Sequence, residues 1–196
     1  MSRIAKSHWI LGVSLLALVA LAPAARATIY FGTLSGANES PANGSLATGT
    51  VVVAVSPDLL SMEVVTSFTG LMGTTTAAHI HCCLPATPPN VGVATMLPTF
   101  TGFPSGVTSG TYDHVFDLTD ASTYNPAFVT ANGGTALSAR DVLLAGIAGG
   151  NAYFNIHTTQ FTGGEIRAFF AVPEPQSFAL LAAGLAALAA LRRRRA

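Results

Sequence analysis

Charge is what this sequence has least of: only 9% of its 196 residues are Asp, Glu, Lys or Arg, and the nine basic side chains cancel the nine acidic ones. The cancellation hides an uneven distribution. Apart from Arg140 and Arg167, every basic residue lies before residue 28 or after residue 191. Residues 28–171 therefore hold two cations against Glu39, Asp58, Glu63, Asp113, Asp117, Asp120, Asp141 and Glu165, a net charge of 2 − 8 = −6. Nucleic acid is excluded as a partner, because phosphate neutralisation needs a basic footprint and this stretch has none. A Gly-x-Ser-x-Gly elbow, a phosphate loop and a zincin helix are also missing, so hydrolase and nucleotide chemistry have no signature and the chain reads as a non-enzyme. No heptad or solenoid repeat runs through it.

What is present begins with two apolar ends. Arg3 and Lys6 precede an uncharged run from Trp9 to Leu21, and Ala25-Arg26-Ala27 follows as a small-x-small cleavage signal. That order describes a secretory signal peptide over residues 1–27, cut after Ala27 by a Sec-type export machinery. The run falls short of the roughly 20 residues that span a bilayer, which argues against an uncleaved anchor.

At the other end Val172-Pro173-Glu174-Pro175 leads into the Ala- and Leu-rich stretch Ser177 to Leu191, and then into Arg192, Arg193, Arg194 and Arg195. Proline stops a strand because it donates no ladder hydrogen bond. Ala and Leu then favour a transmembrane helix, and the arginines resist translocation, so they stay cytoplasmic while the body lies outside. Pro-Glu-Pro, apolar helix and basic cluster together resemble the PEP-CTERM sorting signal. The resemblance covers residues 172–196 and implies processing by an exosortase-type enzyme, transient inner-membrane anchoring, and a final place at the cell envelope or surface. Hosts of that signal typically make extracellular polysaccharide, which becomes an implied partner. The alternative is a permanent C-terminal membrane anchor.

The body between the ends, residues 28–171, is long enough for one domain with a sizeable core. Few charges, many Gly, Thr, Val and Phe, and recurrent turn residues predict a mainly β fold. Thr28 to Leu34, Gly49 to Val55, Leu60 to Phe68, Ala77 to Cys82, Val91 to Met96, Ala152 to Thr158 and Glu165 to Phe170 read as strands. Ser56-Pro57-Asp58 joins the second and third as a hairpin. Residues 98–118, rich in Gly, Pro, Ser and Thr, read as a long surface excursion. Helices are expected from Asn125-Pro126, with Asn as cap, and over Ser138 to Ile147. The predicted architecture is an antiparallel β-sandwich or partly closed barrel with a short helical insertion, plus the N-terminal signal helix and the C-terminal transmembrane helix.

Three segments resemble the CHRD domain, a module named for its repeats in chordin. They are Leu34-Ser35-Gly36-Ala37-Asn38-Glu39, then Ala78-His79-Ile80-His81, then Tyr153-Phe154-Asn155-Ile156-His157-Thr158 with Gly163-Gly164-Glu165-Ile166-Arg167. The match spans roughly residues 29–171, with residues 119–150 extra relative to the shortest versions. It implies an extracellular β domain and supplies no catalytic residues to carry over.

Strand alternation gives these motifs a chemistry. Side chains at i and i+2 share a face, so His79 and His81 face one way, Tyr153, Asn155 and His157 share another strand's face, and Glu165 shares one with Arg167. If the strands are neighbours, His79, His81 and His157 can hold a divalent transition metal, zinc or copper. No cofactor is otherwise indicated. The competing reading is a structural hydrogen-bond network in which Glu165 pairs with Arg167. Cys82 and Cys83 are adjacent, and in an oxidising exterior they form a vicinal disulfide, bridge to another chain, ligate metal beside His81, or are simply buried. Asp113, Asp117 and Asp120 read as solvated turn chemistry or a weak calcium site. Together these point to a secreted structural or adhesive module associated with the envelope or polysaccharide matrix, with a metal-binding extracellular domain as the alternative.

Overall fold

A computed structural model describes residues 26–83 and 90–171. Residues 1–25 of the signal segment, Ala25 among them, and the sorting tail, including Pro173, Glu174, Pro175 and Arg192 to Arg195, lie outside the described residues. Among the described residues no helix is long and apolar enough to cross a membrane.

Seven strands form one antiparallel sheet: β1 Thr28–Ser35, β2 Thr48–Val55, β3 Ser61–Thr69, β4 Thr75–Cys82, β5 Gly110–Asp117, β6 Ala152–Thr158 and β7 Ile166–Phe169, in the order β4-β6-β7-β1-β2-β3-β5. The predicted partly closed barrel is the form adopted, because the sheet curls into a half-barrel. Its two ends meet at one corner, where Thr75 donates to the Val107 carbonyl at 2.8 Å and Gly106 donates to the Thr75 carbonyl at 2.9 Å. β2 and β3 form the expected hairpin, whose turn is tied by Ser56 Oγ donating to Asp58 Oδ1 at 2.6 Å.

Alternate residues of the strands face the hollow of the curl. Tyr30, Val53 and Val64 lie opposite one another across β1, β2 and β3, while Ile80, Phe154 and Ala168 do so across β4, β6 and β7. Phe100, Tyr112, Phe116 and Phe154 fill the space between the two ends, with Phe100 and Phe116 rings 4.9 Å apart. Offset and tilted aromatic pairs of this kind add to the area they bury.

Two expectations change here. Residues 98–118 are not one long excursion: β5 occupies Gly110–Asp117, with Tyr112 and Phe116 buried against the core. Residues 91–96 make only isolated bridges, His81 with Val93 and Thr95 with Tyr124. That segment runs beside the free edge of β4, where Ala94 donates to Ile80 and Phe100 to Ala78, and so shields an edge that would otherwise template pairing.

The insertion carries α1 Pro126–Ala131, capped by Asn125 as expected, and α2 Ala136–Ala148. α2 starts two residues before the expected Ser138 and is capped by Thr135, whose side chain and that of Ser138 exchange bonds with each other's backbone in a capping box. Ala139, Leu143, Gly146 and Ile147 form the buried stripe of α2, and Cys82 and Cys83 pack their sulfurs against Gly146. At the end of the body, Ala171 exchanges two backbone hydrogen bonds with Phe31 of β1, at 2.8 and 3.3 Å.

Candidate functional site

Among the described residues, cover on the sheet's convex side lies over β4, β6 and β7. The loop between β1 and β2 crosses it as a strap: Asn38 donates to the Arg167 carbonyl at 2.9 Å, and Asn43 donates to the Glu165 carbonyl at 3.0 Å. The segment after residue 89 and the turn from Thr159 to Glu165 complete the cover. Consequently the face predicted to be polar is polar and buried together. His79 and His81 are 5% and 7% exposed, Asn155 is fully buried, and only His157 is partly open.

The three histidines come together as their spacing predicts. In the register β4 to β6, His79 lies opposite Asn155, His81 opposite Tyr153 and His157 opposite Ala77. Ring centroids are 5.9 Å apart for His79 and His81, 5.3 Å for His79 and His157, and 5.7 Å for His81 and His157, a nearly equilateral triangle. One ligand nitrogen from each lies within 4.8 Å of the other two.

Each ring is also oriented from behind. His79 Nε2 donates to the Pro98 carbonyl at 2.6 Å, His81 Nδ1 to the Val91 carbonyl at 2.8 Å, and His157 Nδ1 to the Thr162 carbonyl at 2.9 Å. A carbonyl can only accept, so these bonds fix which nitrogen carries the proton. The nitrogens left over, His79 Nδ1, His81 Nε2 and His157 Nε2, are buried and have no hydrogen-bond partner. Burial holds the pKa of His79 and of His81 down to about 4, against the opposing pull of their carbonyl bonds, and it lowers that of His157 too. All three therefore present a free lone pair at neutral pH.

Arg167 and Glu165 do not pair with each other, contrary to expectation. Arg167, 1% exposed, gives its Nη2 to Glu39 Oε2 at 2.9 Å and to Asn90 Oδ1 at 2.6 Å. Its guanidinium lies 4.0 Å over the Tyr153 ring, which in turn stacks on His81 at 4.8 Å and 7°. Burial pushes the Glu39 carboxyl upward in pKa while Arg167 opposes it. Glu165 instead accepts from Met72 N at 2.6 Å, Ser45 Oγ at 2.7 Å, Thr158 Oγ1 at 2.7 Å and Gly73 N at 3.1 Å. Burial raises its pKa, but those four donors outweigh it and leave the carboxyl below its ordinary range. The cause of the exchange is local: Glu165 lies in a bend and the ladder starts only at Ile166, so two-residue alternation does not reach back to Glu165.

The other sequence candidates lie apart from the triangle. Cys82 and Cys83 are joined to each other as a vicinal disulfide, and Cys82 joins the core on the face opposite His81. His114, the fourth histidine among the described residues, packs its ring 4.6 Å from Phe116 on β5. Asp117 Oδ1 accepts from Thr119 at 2.7 Å, and Asp120 accepts from Ser122 at 2.8 Å, both of them turn chemistry. Sequence reasoning passed over the role of Glu39. The available signal was that a buried strand arginine needs an acidic partner, and the Leu34 to Glu39 motif supplies one.

Among the described residues, the buried side-chain polar atoms without a hydrogen-bond partner are Glu39 Oε1, His79 Nδ1, His81 Nε2, Asn155 Nδ2 and Oδ1, His157 Nε2, and Arg167 Nε and Nη1. Every one belongs to this covered face, while the rest of the core is satisfied. Leaving a buried donor or acceptor unmade costs about 1–3 kcal/mol, so such a concentration marks a place built for something to fill.

Compared with known proteins, residues 30–170 match the CHRD domain and residues 171–195 match the PEP-CTERM protein-sorting motif. No curated protein and no solved structure gives a significant match.

Proposed function

The chain belongs to the CHRD domain family and carries a PEP-CTERM sorting signal that sends it to the cell envelope or surface through exosortase-type processing; from that premise we propose that its β domain is a surface module that binds a divalent transition metal. The ligands are His79 Nδ1, His81 Nε2 and His157 Nε2, and imidazole donors of this kind suit zinc and copper. One observation carries the proposal: three imidazoles, two buried and one partly open, each anchor one nitrogen to a backbone carbonyl and leave the other buried without a partner, and one nitrogen of each lies within 4.8 Å of the others. That second layer of bonds is what orients histidine ligands in metal sites.

The residues fit such an ion. Imidazole nitrogens on one zinc at about 2.0–2.1 Å sit roughly 3.3 Å apart in a tetrahedral site. The present separations, within 4.8 Å, close to that value by modest ring movement. An ion there would satisfy three orphaned atoms at once, which a purely structural hydrogen-bond network leaves unmet. The role proposed is binding, with no catalytic step assigned.

A second reading, a structural or adhesive module held in the envelope or extracellular polysaccharide matrix, draws support from the other half of the sheet. There Ile29, Phe31, Val65 and Val115 show their side chains to solvent on the convex side. An exposed apolar set is a feature of interaction surfaces. Element analysis of protein purified from its native surface tests the metal reading: near-stoichiometric zinc or copper supports it, and metal-free protein that also ignores added zinc and copper in calorimetry refutes it. Loss of matrix or aggregation on gene deletion tests the second.

A further inference from the structure

Five of the eight orphaned atoms are not histidine nitrogens: Glu39 Oε1, Asn155 Nδ2 and Oδ1, and Arg167 Nε and Nη1. They sit beside the triangle in register, since His79 lies opposite Asn155 across β4 and β6, and Asn155 lies opposite Arg167 across β6 and β7. We propose that the metal is taken up together with a small oxyanion of the carboxylate or carbonate class, held by Asn155 and Arg167; the proposal rests on the metal reading above.

Charge is the first reason. The three imidazoles are neutral and the Arg167 cation already has its counter-ion in Glu39. A divalent ion would therefore add two uncompensated positive charges to a buried site, next to an arginine. Buried charge is tolerated only when paired, so an anion is the missing member.

Hydrogen bonding is the second. Arg167 Nε and Nη1 are donors with no acceptor, the Asn155 amide has the Glu39 carboxylate as a hydrogen-bonding neighbour, and both residues are at least 99% buried. Charge-assisted bonds from a guanidinium to an oxyanion are among the strong ones. Three histidines also leave the fourth position of a tetrahedral ion free for an exogenous ligand.

Access is the third. A cleft of about 320 Å³ lined by Glu39, Asn43, Asn90, Phe161, Gly163 and Gly164 reaches the groups that hold these donors. Glu39 and Asn90 bind Arg167, and a Cβ at Gly164 would lie 2.5 Å from both amide atoms of Asn155. The absence of a side chain at Gly164 thus lets the Asn155 amide pack directly against the wall of the cleft.

The test is cobalt(II) titration of the processed, folded protein, followed by its visible spectrum, with and without bicarbonate or acetate. Bicarbonate or acetate should tighten cobalt binding about tenfold and change the spectrum of the bound ion. Asn155→Ala and, separately, Arg167→Lys should each bind cobalt while losing the anion dependence. The lysine variant keeps the charge beside Glu39, so it guards against an Asn155→Ala protein that does not fold. Cobalt binding that is indifferent to both anions overturns this inference and leaves the metal reading standing. No cobalt binding under any condition overturns the metal reading, and the anion goes with it.

Discussion

The two halves of the curled sheet solve opposite problems. Over β1, β2, β3 and β5 the convex side meets solvent, so alternation sorts residues simply: Val53, Val64 and Phe116 inward, and Phe31, Val65 and Val115 outward. Over β4, β6 and β7 both sides are covered, and the same two-residue period sorts apolar from polar instead of inside from outside. A period of two in a strand therefore reports a change of chemistry between faces, and only the covering loops decide which face is wet. Where the second face is also buried, polar residues survive by pairing, and those left unpaired mark the site.

The contrast is broken most severely at its ion pair. Glu39→Ala leaves Arg167 as a buried cation without a counter-ion, and unfolding in urea should show a loss of about 3–5 kcal/mol. Next in size is the metal. Zinc at a hundred times its dissociation constant should stabilise the native protein by about 2.7 kcal/mol, and the His79→Ala/His81→Ala double variant should gain nothing in the same melt.

Acid sharpens the comparison further. His79 and His81 have folded pKa values near 4, below the ordinary 6.5, so the unfolded chain takes up protons first as pH falls. Stability should be fully present above about pH 6.5 and decline down to about pH 4, where the folded rings protonate too. His79→Gln/His81→Gln should flatten that limb in denaturant titrations at stepped pH, and an unchanged slope would contradict the burial of the two rings. The smallest effect belongs to the open half: Val115→Thr, at a side chain 58% exposed, should shift stability by no more than about 0.5 kcal/mol.

Much of this was legible in the chain. The Ser56-Pro57-Asp58 hairpin, the Asn125 cap and the convergence of His79, His81 and His157 all follow from local rules, because turn chemistry and alternation act over a few residues. What escaped depends on distance or dilution. Glu39 and Arg167 meet across 128 positions of chain (167 − 39), and no local pattern records that closure. β5 was hidden because Gly, Pro, Ser and Thr on its N-terminal side dilute a strand whose inward residues are only Tyr112, His114 and Phe116. The placement of Glu165 escaped because it sits in a bend just before the strand, where a period of two does not yet hold.

The pair of backbone bonds between Phe31 and Ala171 has a mechanical meaning. Immediately beyond it come Val172 and Pro173, where the sorting motif begins, so tension on a membrane tether enters the body through the ladder beside β1 and not through a loose end. Severing that tether downstream of Ala171 would relieve the load while removing none of the seven strands, so the released body and the tethered one would be the same folded object.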